Sequence, residues 1–217
     1  LSRYTQLMEE YPDSEYIPDA KFRVAVLNAY LGRYNDSFEQ LQRVAQRYSS
    51  TRYYRYIPFW QGYDLYYLGE YSKAKDYFTE FLKSNPGELQ RDALYYKALC
   101  ERSLEEYEQS LQSVKKMYGL YDSPVQNPQM VVLFTSLLVQ TERFEELYSI
   151  YADVQIELFD MEVQRKLALY RAEALFRQEK YPQAEPLYRE LLEAGDDLKT
   201  VAYKRLYMLY EKTGQKQ

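Results

Sequence analysis

The 217-residue chain contains no histidine and one cysteine, Cys100. The absence of histidine removes the commonest general base and the commonest ligand of transition metals. A single cysteine cannot form an internal disulfide, and Cys100 follows apolar residues in a helical run, as a small buried side chain does. The sequence also lacks a phosphate-binding loop, a nucleophile elbow and a cluster of metal ligands. We therefore expect no enzyme activity, no metal and no cofactor.

Long hydrophobic runs are also missing, and no segment reaches the roughly 18 to 20 apolar residues of a membrane-spanning helix. Seven glycines and eight prolines are too few for a collagen-like chain, and 17% aromatic residues exclude a disordered one. The net charge of −5 gives no electrostatic footprint for nucleic acid or an anionic membrane. We expect a globular protein that neither binds nucleic acid nor inserts this segment into a membrane.

An aromatic residue returns at a nearly constant interval along the chain. It stands at Tyr34, Tyr71, Tyr107, Phe144 and Tyr181, with spacings of 37, 36, 37 and 37 residues. A fixed period in this range is typical of an array of helical repeats. Such an array offers a binding surface and has no obvious reactive centre.

Apolar spacing and helix-stop signals predict twelve helices. They lie near residues 1–10, 18–31, 35–48, 54–68, 72–84, 88–102, 105–119, 127–141, 145–156, 162–178, 182–193 and 198–213. The first helix has no preceding partner, so we expect a fragment of a longer protein. In the last helix, Tyr203, Leu206 and Tyr210 are expected to face the core.

The turn within each helical pair follows a physical pattern. Gly32 and Gly69 stand where a first helix must stop, often in a left-handed conformation that glycine adopts without steric cost. After the next aromatic residue, Ala74 is small enough to let two helices approach, and Phe78 fills the space between units. Pro86 prevents the second helix from continuing.

These residues resemble the tetratricopeptide repeat, and the best copy runs from Arg55 to Pro86. It carries Gly62, Gly69, Tyr71, Ala74, Phe78 and Pro86. The resemblance implies an all-α fold, a right-handed solenoid of antiparallel helix pairs with a concave groove and a C-terminal capping helix. The single repeat domain, 1–217, is expected to divide into a half repeat 1–16, pairs near 17–50, 51–87, 88–124, 125–160 and 161–197, and a capping helix 198–217.

Tyrosine is unusually abundant, with 27 residues in the chain. In the tetratricopeptide repeat family the first helix of each pair lines the groove, and an aromatic groove suits peptide recognition. The candidate partner-binding residues are Phe22, Tyr30, Tyr56, Phe59, Tyr63, Tyr66, Tyr67 and Tyr95. We expect a non-catalytic interaction scaffold for a protein or peptide, although packing between helices is an alternative role for these side chains.

Other functions stay open at this point. The family's carboxylate clamp needs Lys and Asn on the groove face, where this chain has Phe22, Val26, Phe59 and Tyr63, so we expect no clamp. The segment Tyr11–Tyr16 resembles repeats of bacterial cell-envelope proteins, including the outer-membrane assembly lipoprotein. That resemblance implies an assembly component with a lipid anchor upstream, and it leaves periplasm, outer membrane and cytoplasm open. A small-ligand carrier is a further alternative.

Overall fold

The computed structural model describes residues 2–48, 53–84, 87–120, 127–193 and 196–214. The α-helices in this part of the chain are α1 (Ser2–Glu10), α2 (Ile17–Tyr30), α3 (Tyr34–Arg47), α4 (Ile57–Tyr67), α5 (Tyr71–Lys83), α6 (Gln90–Ser103), α7 (Tyr107–Tyr118), α8 (Pro128–Gln140), α9 (Phe144–Asp153), α10 (Met161–Arg177), α11 (Tyr181–Glu190) and α12 (Asp196–Thr213). No β-strand is found among the described residues. All twelve predicted helices are confirmed, with ends that differ by at most three residues.

Helix contacts divide the chain into two compact units, Leu1–Leu120 with α1 to α7 and Tyr121–Gln217 with α8 to α12. In the first unit each helix packs against the next one along the chain, and α4 also contacts α2 and α6. In the second unit α10 contacts α8, α11 and α12. In the first unit, neighbouring pairs therefore pack through the second helix of one pair against the first helix of the next, and also through their first helices. The chain is an all-α solenoid, as predicted. The exact repeat boundaries within one domain stay a prediction.

The turn inside each of the five pairs has the same hydrogen-bond geometry. In the first pair, the Arg33 amide donates to the carbonyl of Asn28 at 2.9 Å, and the Gly32 amide donates to that of Ala29 at 3.0 Å. These two bonds satisfy carbonyls at the helix end, and they require a left-handed residue at the turn. Gly32 and Gly69 supply it with φ values of +74° and +79°.

Glutamates occupy the same turn position in the other three pairs. Glu105, Glu142 and Glu179 have φ values of 60°, 57° and 60°, a region that costs an L-residue roughly 1–2 kcal/mol. After allowing for the greater freedom of glycine in the unfolded chain, we expect each Glu→Gly change to stabilise by about 0.5–1 kcal/mol. Urea unfolding of the triple variant should show a raised midpoint.

The matched control for these turns is the neighbouring Lys180→Gly, because Lys180 has a φ of −81° and gains nothing from glycine. We expect this control to lower the midpoint. A triple glycine variant whose midpoint is unchanged or lower would show that the left-handed glutamates carry no strain.

Small residues allow close packing where the repeat pattern places them. Ala74 and Phe78 are fully buried, as are the corresponding Ala184 and Tyr188. A Cβ atom added to Gly62 would come within 3.1 Å of the Phe78 ring, so this glycine marks a close helix crossing. The predicted packing roles of these residues are confirmed, whereas Pro86 lies outside the described residues.

The last helix, α12, contributes Ala202, Leu206 and Leu209 to the core of the second unit. Leu206 faces the core as predicted, and Tyr210 packs against the same core while half-buried. The prediction for Tyr203 was wrong, because the buried stripe begins one residue earlier and leaves its side chain 54% exposed.

A buried ion pair joins α10 to α12. The Glu173 carboxylate accepts two hydrogen bonds from the Arg205 guanidinium, at 2.6 and 2.8 Å. It also accepts one from the Tyr188 hydroxyl on α11, at 2.9 Å. The Glu173 side chain is 10% exposed, so nearly all of its hydration is replaced by these three bonds. Three helices of the second unit therefore meet at one carboxylate.

Candidate partner-binding groove

A groove of about 470 Å³ lies in the first unit and is lined mainly by aromatic side chains. Its walls come from α1, α2, α4 and the two 3₁₀ turns that precede α4 and α6. We call this the aromatic groove; its lining residues are Tyr4, Phe22, Arg23, Val26, Leu27, Tyr30, Tyr53, Tyr56, Trp60, Glu88 and Leu89. The first helices of neighbouring pairs thus contribute to one surface.

Ring contacts hold the aromatic walls in place. Phe22 stacks on Tyr53 with ring centroids 4.9 Å apart and an interplanar angle of 5°. Tyr30 meets the edge of Trp60 at 5.2 Å, while its own side chain stays 66% exposed. Because each ring packs against another, the groove loses little side-chain entropy when a ligand enters. Tyr30 is the wall residue that a ligand can reach most easily.

Arg23 lines the groove, and Arg55 contacts Tyr56, which also lines it; each arginine is hydrogen-bonded to a tyrosine. The Arg23 guanidinium lies 5.1 Å from the Tyr53 ring centre and donates to that hydroxyl at 2.6 Å. The Arg55 guanidinium lies 4.7 Å from the Tyr56 ring centre and donates to the Tyr56 hydroxyl. Both arginines are exposed, and neither has a carboxylate partner in the described part of the chain.

A second group of aromatic residues, the tyrosine cluster, comprises Tyr34, Tyr63, Tyr66, Tyr67, Tyr95 and Tyr96. Tyr34 stacks on Tyr67 at 4.8 Å, and Tyr96 lies within 5.1 Å of Tyr63 and 5.3 Å of Tyr66. Burial raises the pKa of Tyr63 and of Tyr96, and to a smaller extent those of Tyr66 and Tyr95. Tyrosine hydroxyls are protonated at neutral pH and can donate hydrogen bonds, and burial of these four disfavours their ionisation further.

A buried carboxyl group lies next to the tyrosine cluster. Asp64 on α4 is fully buried, and neither carboxyl oxygen has a hydrogen-bond partner in the described structure. Burial raises its pKa to about 7. Burial raises the pKa of Tyr34 on α3, and the nearby Tyr67 and Asp64 of α4 raise it further.

The structure divides the predicted site residues among three places. Phe22, Tyr30 and Tyr56 line the aromatic groove. The tyrosine cluster contains Tyr63, Tyr66, Tyr67 and Tyr95, of which Tyr67 is the most exposed at 45%. Phe59 is 3% exposed and packs on Phe78 and Phe81, so its predicted groove position was wrong.

Trp60 is the largest groove residue that sequence reasoning missed. It lies one position after Phe59, and with Tyr63 and Tyr67 it forms a stripe at spacings of three and four residues. That spacing defines one helix face and could have identified it. Tyr4, Tyr53 and the role of Arg23 were also missed, because residues from other elements meet them only in the folded chain.

Other chemistry finds little support in the described residues. Cys100 is fully buried and free, and burial raises the pKa of its thiol to about 12, so it acts as a small core residue. No group of three potential metal ligands from Asp, Glu, Cys and His occurs there. None of the helices described combines the length and apolar character needed to cross a membrane.

Comparison with solved structures finds the same fold. "YrrB: a TPR protein with an unusual peptide-binding site" aligns over 93% of this chain and 97% of its own, with a TM-score of 0.71 and 16% identity. A tetratricopeptide repeat protein from Parabacteroides merdae ATCC 43184 aligns over 96% and 82%, with a TM-score of 0.62 and 16% identity. MamA aligns over 83% and 87%, with a TM-score of 0.52 and 13% identity. No curated protein matches the chain in sequence.

The repeat pattern is also found directly in the sequence. The tetratricopeptide repeat family model matches residues 61–123 and 157–204, which together make up just over half of the chain. These segments include three of the left-handed turns described above, at Gly69, Glu105 and Glu179. The chain therefore belongs to the tetratricopeptide repeat family.

Proposed function

We propose that this chain is a non-catalytic scaffold that binds an extended segment of a partner protein in the aromatic groove. Tetratricopeptide repeats are protein-interaction scaffolds, which supports the general class. The observation that carries the proposal is a groove of about 470 Å³ whose aromatic walls are held open by their own ring contacts. Preformed apolar grooves with a few polar groups are the usual form of a binding site.

Unused hydrogen-bond donors in the groove favour a peptide over a purely apolar ligand. The Trp60 indole N–H and the Tyr30 hydroxyl have no hydrogen-bond partner in the described part of the chain. Backbone carbonyls of an extended peptide can accept from both groups, while its side chains pack against the rings. The groove can therefore bind both the backbone and the side chains of one segment.

The proposal is tested by selecting a displayed library of random peptides on the full chain and then on two tyrosine variants. Tyr30→Ser removes the exposed groove ring, whereas the control Tyr16→Ser removes a ring of similar exposure, 60% against 66%, outside the groove. Loss of a central aromatic contact costs about 2 kcal/mol, so we expect roughly 30-fold weaker binding for Tyr30→Ser alone.

Circular dichroism of both variants establishes that they are folded, which their exposed positions favour. Selected peptides that bind Tyr30→Ser as well as the unmodified chain would place the interaction elsewhere. A library that yields no specific binder for the unmodified chain would overturn the proposed function itself.

A further inference from the structure

We propose that the aromatic groove selects an acidic segment of its partner, in which Asp or Glu side chains flank a large apolar anchor. This inference rests on the proposed function and adds the chemistry of the ligand. The apolar anchor would contact Phe22, Tyr30 and Trp60, and the carboxylates would bind the guanidinium groups of Arg23 and Arg55. The proposed occupant is a protein segment, because its side chains can supply both the carboxylates and the apolar anchor.

Two cations at or next to the groove can bind the carboxylates of such a segment: Arg23 lines the groove, and Arg55 contacts the lining residue Tyr56. Arg23 and Arg55 are exposed cations with no ion-pair partner in the described residues, and each donates a hydrogen bond to the hydroxyl of a tyrosine that lines the groove. The tyrosine hydroxyl takes only one of the five N–H donors of a guanidinium. The remaining donors can form paired hydrogen bonds with a carboxylate, which are among the strongest in proteins.

The hydrogen bonds to tyrosine hydroxyls make these arginines suitable for recognition. A free arginine loses rotamer entropy when it binds, whereas a guanidinium already hydrogen-bonded to a tyrosine has lost part of it. Such preorganisation increases affinity, because this loss of side-chain entropy does not occur again when the ligand binds. This arrangement differs from the carboxylate clamp of the family, for which the groove-face residues Phe22, Val26 and Tyr63 offer no lysine or asparagine.

One acidic residue of the groove should repel an acidic ligand, and its substitution provides an independent test of the ligand's charge. Glu88 lines the groove near Leu89 and forms no ion pair in the described part of the chain. Its charge would repel an acidic peptide and attract a basic one. We expect Glu88→Gln to strengthen binding of the acidic segment about two- to fivefold, the range of a rim charge.

The experiment uses the full chain and three short labelled peptides in fluorescence anisotropy. The first probe alternates acidic and large apolar residues, Asp-Phe-Glu-Leu-Asp, between Gly-Ser ends. The second has Lys in place of each acid, and the third has Ala in place of Phe and Leu. We expect the first to bind about tenfold or more tightly than either of the others, since both the charge and the anchor contribute.

Charge reversal on the protein identifies the arginines involved. Arg23→Glu and Arg55→Glu should each weaken binding of the acidic probe about tenfold. Arg47→Glu is the matched control, because Arg47 is also exposed but lines a different pocket of about 300 Å³ between α1, α2 and α3. Equal losses in all three variants would show only a long-range charge effect and would overturn the assignment.

The outcomes separate this inference from the proposed function. Tight binding of the basic probe, or of library peptides without acidic residues, would overturn the acidic assignment while Tyr30→Ser still tests the groove. Acidic binding lost in Arg47→Glu but kept in Arg23→Glu would place the ligand in the other pocket. Absence of binding by every probe and every library peptide would overturn both proposals.

Discussion

Glu173→Gln should destabilise the second unit by about 2–4 kcal/mol, the cost of removing the charge from a largely buried ion pair. Its carboxylate accepts from Arg205 and Tyr188, and glutamine can accept through only one oxygen. The amide nitrogen would also face the Arg205 guanidinium, donor against donor. Urea unfolding followed by circular dichroism measures the change as a lower midpoint.

Glu162→Gln is the matched control on the same helix. Glu162 pairs with Lys166, but its side chain is 76% exposed, so its loss should cost less than about 0.5 kcal/mol. Replacing all three partners, Glu173→Leu with Arg205→Met and Tyr188→Phe, should restore most of the stability that the single change removes, because no buried polar group is then left unpaired. Equal effects of the two Glu→Gln changes would contradict a structural role for the Glu173 ion pair.

Asp64→Asn should stabilise the first unit at high pH and change little at low pH. The folded state raises the Asp64 pKa from 3.8 to about 7, so between these values the native chain keeps a proton that the unfolded chain releases. The unfolding free energy of the unmodified chain therefore falls as pH rises through this window, by up to about 4 kcal/mol. Asparagine has no such titration.

The measurement is the difference in unfolding free energy between Asp64→Asn and the unmodified chain, followed from pH 4 to pH 8. Asp76→Asn on α5 is the control, because it removes a carboxylate from an exposed position, where substitutions change the unfolding free energy little. Asp64 lies five residues before the turn residue Gly69. In three other pairs the residue at this position is apolar and fully buried, namely Cys100, Leu137 and Ala174. Asp64→Leu is therefore a second variant without a titrating group. A difference that is constant with pH would contradict a protonated Asp64.

The fold was predictable because the repeat places several independent signals in the same register. The aromatic period, the turn glycines and the buried Ala74 and Phe78 all define one pair of helices. The left-handed glutamates were not predictable from local preference, since an isolated glutamate rarely adopts this conformation. At Glu105, Glu142 and Glu179 the packing of two helices determines the turn.

The candidate site was predictable only in part, for two physical reasons. The apolar residues of α4 cover both the face that packs against α5 and the adjacent face that lines the groove, and sequence spacing does not separate the two. Phe59 was therefore assigned to the groove, whereas Trp60 lines it. The groove also uses Tyr4 and Tyr53, which come from outside the first helices that the family pattern identifies. The arrangement of Arg23 on Tyr53 depends on residues 30 positions apart and cannot be read from local sequence.

Trp60 is the single tryptophan of the chain and lines the aromatic groove, so its fluorescence reports directly on the central claim. We would titrate a library-selected peptide into the full chain, excite the indole selectively, and follow binding in parallel by anisotropy. Occupation of the groove should shift Trp60 emission to shorter wavelength with the same affinity that anisotropy gives, because the peptide displaces water from the ring. Saturable binding that leaves Trp60 emission unchanged would contradict the groove as the partner-binding site.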